Sequence, residues 1–262
     1  MYKRQVPVLL PFFIFSDFIK RTGDLDRLPA TVYPFVVAFL SGYPMGAKVV
    51  GDFIKEKKVT VNRGRYILSY SLVTGPAFII FTVGNFIGSQ KAAVIIAIAH
   101  YGGALLNGLI YRCRDENKAA RRRSPRPPKS DYLENFTESI VSGFKAMAMI
   151  LAYLMVFTIG INILEHLGVF GLINNQGVSS AFKGIFEMTV GINLVGMCDM
   201  GIRLKSVIAA FLLSFGGLSV AGQSMSMARG SGIGLADILK IKTTHGMIAA
   251  IITTILIHIV VL

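Results

Sequence analysis

Four stretches of this sequence are apolar on every face of a helix, and each is close to the length that spans a membrane. They are residues 66–87, 92–110, 140–164 and 243–262. A membrane-spanning helix needs about 20 apolar residues to cross roughly 30 Å of hydrocarbon. Lipid cannot bond exposed backbone groups, so only helices or closed barrels cross it, and these runs lack the alternation of barrel strands. The sequence therefore predicts an all-α polytopic membrane protein.

Composition and charge support this class. Hydrophobic residues make up 53% of the chain and charged residues only 16%, whereas a soluble domain carries about 25% charged residues. The formal net charge is +13, from 27 Lys and Arg against 14 Asp and Glu. In a membrane protein such a surplus is typical of cytoplasmic loops. We therefore expect the lipid bilayer, and not nucleic acid, as the partner of this charge.

Residues 112–131 form a basic, proline-rich segment between two apolar regions. Its cations are Arg112, Arg114, Lys118, Arg121, Arg122, Arg123, Arg126 and Lys129. Such a segment is typical of a solvated linker, and the positive-inside tendency places it in the cytoplasm. Cys113 would then stay reduced, so we expect no disulfide. We divide the chain into a first membrane repeat (residues 1–111), this linker, and a second membrane repeat (residues 132–262).

Both repeats have the same order of segments: a helix, a segment broken by Gly or Pro, a second broken segment and a closing helix. The segments are residues 6–19, 28–54, 66–88 and 92–111 in the first repeat, and 140–164, 183–200, 206–228 and 243–262 in the second. Matched broken segments at corresponding places are a sequence signature of a secondary-transporter site.

The cations that flank residues 28–54 indicate how that segment lies. If it is a re-entrant hairpin, both flanks fall on the same side as the linker; if it spans the membrane, they fall on opposite sides. The hairpin is favoured, and the two repeats are then inverted. This arrangement puts three further cations in the cytosol: Arg229, Lys240 and Lys242. Three others fall on the opposite side: Lys183, Arg203 and Lys205.

The N-terminal run, residues 1–19, has basic residues followed by a short apolar stretch, a pattern also found in signal sequences. It lacks a small-x-small cleavage site and contains Pro7, Pro11 and Asp17. We therefore interpret it as the remnant of a spanning helix and expect the chain to lack upstream sequence.

The first two breaks provide candidate binding groups. In residues 40–48, glycines permit non-helical dihedrals and Pro44 removes a donor. Unwound backbone at membrane depth is tolerated only inside protein or beside a watery cavity, so this tip would offer N–H and C=O groups to a solute. A plain kink or a small-residue packing face is the alternative. In the second break, the half-helix that begins near Pro76 would direct its positive end at an anion. The candidate residues are Ser41, Gly42, Tyr43, Pro44, Thr74, Gly75, Pro76 and Asn85.

The third and fourth breaks lie in the second repeat, at residues 184–193 and 214–224. Glu187 has apolar neighbours, and a carboxylate inside a membrane segment is costly unless it is paired or carries a proton. It is our leading candidate for contact with a solute or a coupling ion. The alternative is an interfacial pair with Lys183. The candidate residues of these breaks are Glu187, Thr189, Ser219 and Gln223.

The remaining polar residues do not indicate an enzyme. We expect His100, His245 and His258 to serve in packing or in bonds between helices. No cluster of His, Cys and carboxylates has the spacing of a metal site, and no nucleophile is paired with a base in the way that catalysis requires. We therefore expect no enzymatic activity, no metal and no cofactor.

Several motifs at the breaks resemble those of the sporulation integral membrane protein YlbJ (SpoVV) family. The motifs are Pro11-Phe12-Phe13, residues 39–48 with Ser-Gly-Tyr-Pro-Met-Gly-Ala-Lys, residues 75–84, Glu187-Met188-Thr189 and Gly216-Gly217-Leu218-Ser219-Val220. The Ser-Gly-Tyr-Pro string is the most specific of them, and the resemblance covers nearly the whole chain. There are three departures: additional N-terminal helices of the family are not part of this sequence, residues 17–34 are shorter, and Ala221-Gly222 stands where the family has His-Ala.

The resemblance implies nucleoside-recognition Gate domains, related in design to concentrative nucleoside transporters. It also implies a multi-pass protein in a bacterial cell or forespore membrane, and transport of a small solute, which for this family would be dipicolinic acid. A coupling ion and a homo-oligomer are possible further partners. The residues themselves do not select dipicolinate over a nucleoside. A non-transporting Gate scaffold, or partner subunit of a sporulation membrane complex, is the competing hypothesis.

Overall fold

The computed structural model describes residues 5–22, 28–112 and 131–260, and the regular structure in these ranges is helical. The N-terminal half contains α1 (Gln5–Thr22), α2 (Tyr33–Ser41), α3 (Met45–Lys55), α4 (Val61–Ser71), a π-helix (Phe78–Val83), α5 (Gly84–Ile87) and α6 (Gln90–Ile110). The C-terminal half contains α7 (Tyr132–His166), a 3₁₀-helix (Val169–Leu172), α8 (Gln176–Phe186), α9 (Met188–Met197), α10 (Ile202–Phe215), α11 (Gly217–Met227) and α12 (Leu235–Ile259).

Within the described ranges, four helical stretches are long and apolar enough to cross a membrane. They are Gln90–Ile110, Tyr132–His166, Ile202–Met227, which combines α10 and α11, and Leu235–Ile259. The chain is thus all-α and is built as an integral membrane protein. The basic linker, apart from Arg112 and Asp131, lies outside the described residues, as does Cys113.

Residues 28–55 fold as a helical hairpin. Its two helices have 9 and 11 residues, so at 1.5 Å per residue each is only about 13–17 Å long. The rings of Tyr33, at the start of α2, and Phe53, near the end of α3, stack with centroids 5.7 Å apart. The chain therefore turns back on itself at residues 42–44.

The C-terminal half has a corresponding hairpin of α8 and α9. Ser180 and Cys198, which are 18 residues apart in sequence, approach with Oγ and Sγ 3.4 Å apart. Gly184 and Gly191 face each other so closely that a Cβ on Gly184 would lie 3.2 Å from the Gly191 Cα. The turn between the helices is Glu187, whose carboxylate caps α9 by accepting a 2.7 Å hydrogen bond from the Val190 N–H.

Each half also contains one helix that is interrupted where the sequence predicts a break. The helix α4 ends at Ser71, residues 72–75 are not helical, and helical backbone resumes at Pro76. In the other half, Gly216 and Gly217 separate α10 from α11 with φ angles of 81° and 73°. Both angles lie in the left-handed region, which glycine enters without steric cost.

The two halves pack against each other through contacts between corresponding helices. The second arm of the first hairpin, α3, packs on α11, and the second arm of the other hairpin, α9, packs on α5. Likewise α6 contacts α10 while α12 contacts α4, and the closing helices α6 and α12 pack against each other. The opening helices α1 and α7 also form a pair. These contacts thus come in pairs in which the roles of the two halves are reversed.

Several boundaries differ from those that hydropathy predicts, and two of them lie in the second repeat next to the site. The closing helix α12 begins at Leu235 instead of residue 243, and the second hairpin begins at Gln176 instead of residue 183. In both cases the additional turns contain polar residues. The Asn175 side chain accepts from the Val178 N–H and caps α8, a preference of Asn at this position.

Candidate functional site

A lysine in the interior of the protein joins three of the four breaks. Lys242, on α12, is fully buried. Its amine donates to the Tyr43 hydroxyl at 2.6 Å and to the Leu72 carbonyl at 3.2 Å. Its Cε lies 3.2 Å from the place that a Cβ on Gly216 would occupy. The expectation that Lys242 lies in the cytosol is wrong, because α12 extends past it and carries it into the core.

Tyr43 connects the tip of the first hairpin to both α12 and α10. Its hydroxyl accepts from Lys242 and donates to the Leu213 carbonyl at 3.2 Å. The Lys242 amine also lies 3.8 Å from the centroid of the Tyr43 ring, within the range of a cation–π contact. Tyr43 is buried, so the hairpin tip contributes an aromatic ring and a hydroxyl to the cluster.

His100, on α6, bonds the unwound part of the first broken helix to α10. Its Nε2 lies 3.1 Å from the Thr74 N–H and its Nδ1 lies 2.8 Å from the Ser214 Oγ. A backbone N–H can only donate, so Nε2 accepts and the ring proton is on Nδ1, which donates to Ser214. His100 is therefore a neutral imidazole in this arrangement.

His245 lies one turn after Lys242 on the same face of α12. Its Nε2 donates to the His100 carbonyl at 2.8 Å, and the two imidazole rings have centroids 4.8 Å apart. Both histidines thus form bonds between helices, as the sequence predicts. We call Tyr43, Thr74, His100, Ser214, Lys242 and His245 the buried polar cluster.

Glycines allow each hairpin tip to lie against a broken helix. A Cβ on Gly42 would lie 3.2 Å from the Gly75 nitrogen, so the first hairpin tip touches the first broken helix. A Cβ on Gly217 would lie 3.1 Å from both the Met188 nitrogen and the Phe186 oxygen, so the second hairpin tip touches the second broken helix. Three breaks therefore meet at Lys242, and the second hairpin tip contacts one of them at Gly217.

The predicted site residues divide into those in contact with the cluster and those apart from it. Tyr43 and Thr74 are members, while Gly42 and Gly75 touch each other beside it. Ser41 is buried next to them, and Pro44 and Pro76 begin the helical arms that follow the breaks. Asn85 is exposed and its carbonyl is 3.5 Å from the Gln90 amide at the start of α6.

The predicted residues of the second half line the other hairpin and α11. Glu187 and Thr189 are buried at the start of α9, where Thr189 also bonds the Glu187 carboxylate. Ser219 and Gln223 are buried on α11, and the Gln223 amide donates to the Ser219 hydroxyl at 3.2 Å. The proposed pair of Glu187 with Lys183 is wrong, because Lys183 pairs with Glu165 at the end of α7.

One expectation about the breaks needs correction. The sequence predicts that unwound backbone leaves main-chain groups open to a solute. At the first broken helix these groups are instead occupied by side chains: Leu72 C=O by Lys242, Thr74 N–H by His100, and Thr74 C=O by the Tyr101 hydroxyl at 2.8 Å. A solute that used them would have to displace these side chains.

A pocket of about 560 Å³ opens beside the first hairpin, lined by residues of α1, α3, α7 and α11. Lys48, one turn after the hairpin tip, lines it and bonds Asp17 at 3.1 Å and Ser142 at 2.9 Å. Arg21, which pairs with Asp17 and Glu138, and the exposed Lys145 also line it. Three cations against two carboxylates leave this pocket with a positive balance.

Tyr101→Phe tests how strongly the side chains hold the unwound backbone. The change leaves the carbonyl of the buried Thr74 without its donor, and an unsatisfied buried acceptor costs about 1–3 kcal/mol. We expect the free energy of unfolding in detergent to fall by about that amount. Tyr132→Phe is the matched control, because Tyr132 is 71% exposed and such a change stays within about 0.5 kcal/mol. Equal stability of the two variants would contradict the assigned bond.

With the geometry described, the chain can be compared with known proteins. It is similar to the sporulation integral membrane protein YlbJ of Bacillus subtilis (strain 168), with 23% identity over 298 aligned positions that cover 95% of this chain and 73% of that protein. The resemblance to the YlbJ family is confirmed. The buried polar cluster and the four breaks lie within the span of similarity to YlbJ, which takes in almost the entire chain. No protein-family model and no solved structure matches the chain.

Proposed function

We propose that this protein is a membrane transporter that moves a small anionic solute, dipicolinate, across a membrane around the developing spore. The observation that carries the proposal is the meeting of three helix breaks at Lys242, with the fourth in contact through Gly217. Among the described residues this buried amine has no carboxylate partner. The similarity to a sporulation integral membrane protein supports the cellular setting, and the motif resemblance to the YlbJ family supports the solute.

We infer further that the two halves are inverted repeats. The paired contacts between the halves support this. The contact of α3 with α11 corresponds to that of α9 with α5, and the contact of α6 with α10 corresponds to that of α12 with α4. A two-fold axis that relates the halves produces such an exchange. With an odd number of membrane crossings per half, that axis lies in the membrane plane, as in transporters whose site is at the repeat interface.

In this arrangement the two hairpins are re-entrant and the basic linker is cytoplasmic. The four hairpin helices have 9 to 11 residues, which is too short to cross roughly 30 Å of hydrocarbon singly. Non-helical backbone at membrane depth is tolerated where protein buries it, and the hairpin tips are buried against the broken helices. The surplus of cations in the linker then sets its side.

The chemistry of the cluster favours an anion over a nucleoside. An ammonium buried without an opposite charge is strongly destabilised, and a bound carboxylate would compensate it. A neutral nucleoside cannot supply that charge. The pocket at Arg21, Lys48 and Lys145 has one more cation than it has carboxylates, and this net positive charge would attract an anion from the side on which α7 begins.

A second candidate function is a non-transporting scaffold in a sporulation membrane complex. It is favoured by the side chains that hydrogen-bond the main-chain groups of Leu72 and Thr74. A core whose polar groups are already hydrogen-bonded is stable without a bound solute. The two candidates predict different fluxes. In a transporter, the Lys242 amine must give up its hydrogen bond to Tyr43 or Leu72 and bind a ligand instead. In a scaffold, both hydrogen bonds persist.

The direct experiment is uptake of labelled dipicolinate, and separately of a labelled nucleoside, into liposomes that contain the purified protein. We expect uptake of dipicolinate above that of protein-free liposomes and inhibition by excess unlabelled dipicolinate but not by the nucleoside. If only the nucleoside is taken up, the transported solute is a nucleoside and not dipicolinate. Absence of flux for both, with the protein folded and inserted, would favour the scaffold.

Glu187→Gln is expected to impair uptake without unfolding the protein. The amide keeps the size of the side chain and an acceptor for the Val190 N–H, so the loss of capping is limited to about 1 kcal/mol. It removes the negative charge at the hairpin tip that we assign to contact with a solute or coupling ion. Ser41→Ala tests the first hairpin tip in the same assay. Wild-type flux in Glu187→Gln would eliminate the proposed role of the carboxylate.

A further inference from the structure

The hydrogen-bond partners of Lys242 match a neutral amine. The amine has two acceptors, the Tyr43 hydroxyl at 2.6 Å and the Leu72 carbonyl at 3.2 Å. A neutral amine has two N–H donors, and both are satisfied by this pair. An ammonium has three donors, and in the described part of the chain its third has only the face of the Tyr43 ring.

Within the part of the chain that the structure describes, the groups around Lys242 provide no compensating negative charge. Of the elements packed against α12, α6 brings His100 and Tyr101 towards the cluster, and α11 has no titratable residue. The cations and tyrosines of α4 and the two cations of α10 are not among the hydrogen-bond partners of the amine; they are Arg63, Arg65, Tyr66, Tyr70, Arg203 and Lys205. On α12 itself, Asp237 pairs with Arg65 at 3.1 Å, Lys240 and His258 are exposed, and His245 bonds His100. No ion pair among the described residues includes Lys242.

We propose that Lys242 is the coupling group of this transporter and that one proton crosses the membrane with each anion. The proposal rests on the transport function proposed above. In the empty state Lys242 is a neutral amine bonded to Tyr43 and Leu72. When an anion enters, the amine takes a proton from water, and the carboxylate of the solute accepts from the third N–H and balances the new charge.

The two events are linked because neither is favourable alone. Protonation without an anion buries an uncompensated charge, and anion binding without protonation leaves a carboxylate against an uncharged amine. A linkage of this kind is reciprocal, so the anion raises proton affinity by the same factor by which the proton raises anion affinity. On release of the anion, the ammonium loses its proton to the same side and the amine returns to Tyr43 and Leu72. The cycle consumes no other reactant.

Proton uptake on binding tests the proposal directly. Dipicolinate is added at neutral pH, where carboxylates are ionised, to the purified full chain in weakly buffered detergent with a pH-indicator dye. The wild type is expected to absorb about one proton per bound anion. Lys242→Met is expected to absorb none, and Lys240→Met, a change at an exposed position of the same helix, is expected to match the wild type. Binding by the wild type without proton absorption would overturn the coupling.

Accumulation in liposomes separates this inference from the proposed function. At zero membrane potential, with the outside one pH unit more acidic than the inside, dipicolinate is expected to accumulate about 10-fold inside the liposomes, because one proton accompanies each anion. Uptake that reaches only equal concentrations on both sides, whatever the pH difference, would refute proton coupling and leave transport intact. Absence of uptake in every condition would refute the transport function and the coupling together.

Discussion

Lys242→Met is expected to reduce dipicolinate uptake about 100-fold or more. Truncating one partner of a buried charge pair costs about 2–5 kcal/mol, which corresponds to roughly 30- to 5,000-fold in binding. Methionine keeps the length and volume of the side chain but removes the charge that a carboxylate would contact. The initial rate of uptake into liposomes at saturating and at low dipicolinate concentrations measures the loss and shows whether it lies in affinity.

The control for this variant is Lys240→Met, which removes one charge from the same helix at an exposed position. It is expected to transport at the wild-type rate. Folding of Lys242→Met is checked separately by thermal unfolding in detergent, where we expect a change within about 1.5 kcal/mol, as for other swaps that conserve volume. If the Lys242→Met protein is folded and transports at the wild-type rate, Lys242 does not take part in binding the solute.

Gly196→Ala is expected to have the largest effect on folding. Gly196 lies on α9 where that helix crosses α5 of the other half, and a Cβ there would lie 2.7 Å from the Phe86 carbonyl carbon and overlap its oxygen. The obstacle is backbone, which cannot rotate away. Overpacking of this kind costs about 1–3 kcal/mol and occasionally more, so we expect a loss of about 3 kcal/mol in the free energy of unfolding.

Gly160→Ala is the matched control, since Gly160 lies within α7 and a Cβ there would meet nothing within 4 Å. Alanine in a helix is favoured over glycine by about 0.8–1.0 kcal/mol, so this variant is expected to be neutral or slightly more stable. Unfolding of both variants in detergent gives the comparison. Equal effects of the two substitutions would mean that α9 does not cross α5 at this glycine.

Three of the four breaks could be predicted because their causes are local. Glycine and proline change the backbone wherever they stand in an apolar run, so Gly42, Pro44, the Thr-Gly-Pro string and Gly216 indicate where helices end without any knowledge of neighbours. The all-α class could be predicted for a similar reason, because the length of an apolar run is set by the thickness of the bilayer.

The buried polar cluster could not be predicted, because it is made by contacts between distant residues. Lys242 and Tyr43 are separated by 199 residues, and no local pattern pairs them. Hydropathy also placed Lys242 at the polar end of a span. A better signal was its periodicity: Ile238, four residues before Lys242, and His245 and Ala249, three and seven residues after it, are all buried on one face of α12.

Because the two halves pack against each other around the buried polar cluster, the protein cannot be divided into two self-sufficient parts. Tyr43, Thr74 and His100 come from one side of the basic segment, and Ser214, Lys242 and His245 come from the other. Neither piece alone contains a complete set of groups. The buried polar cluster is therefore complete only when both parts are present, and a polypeptide that contains one part alone would have an incomplete core.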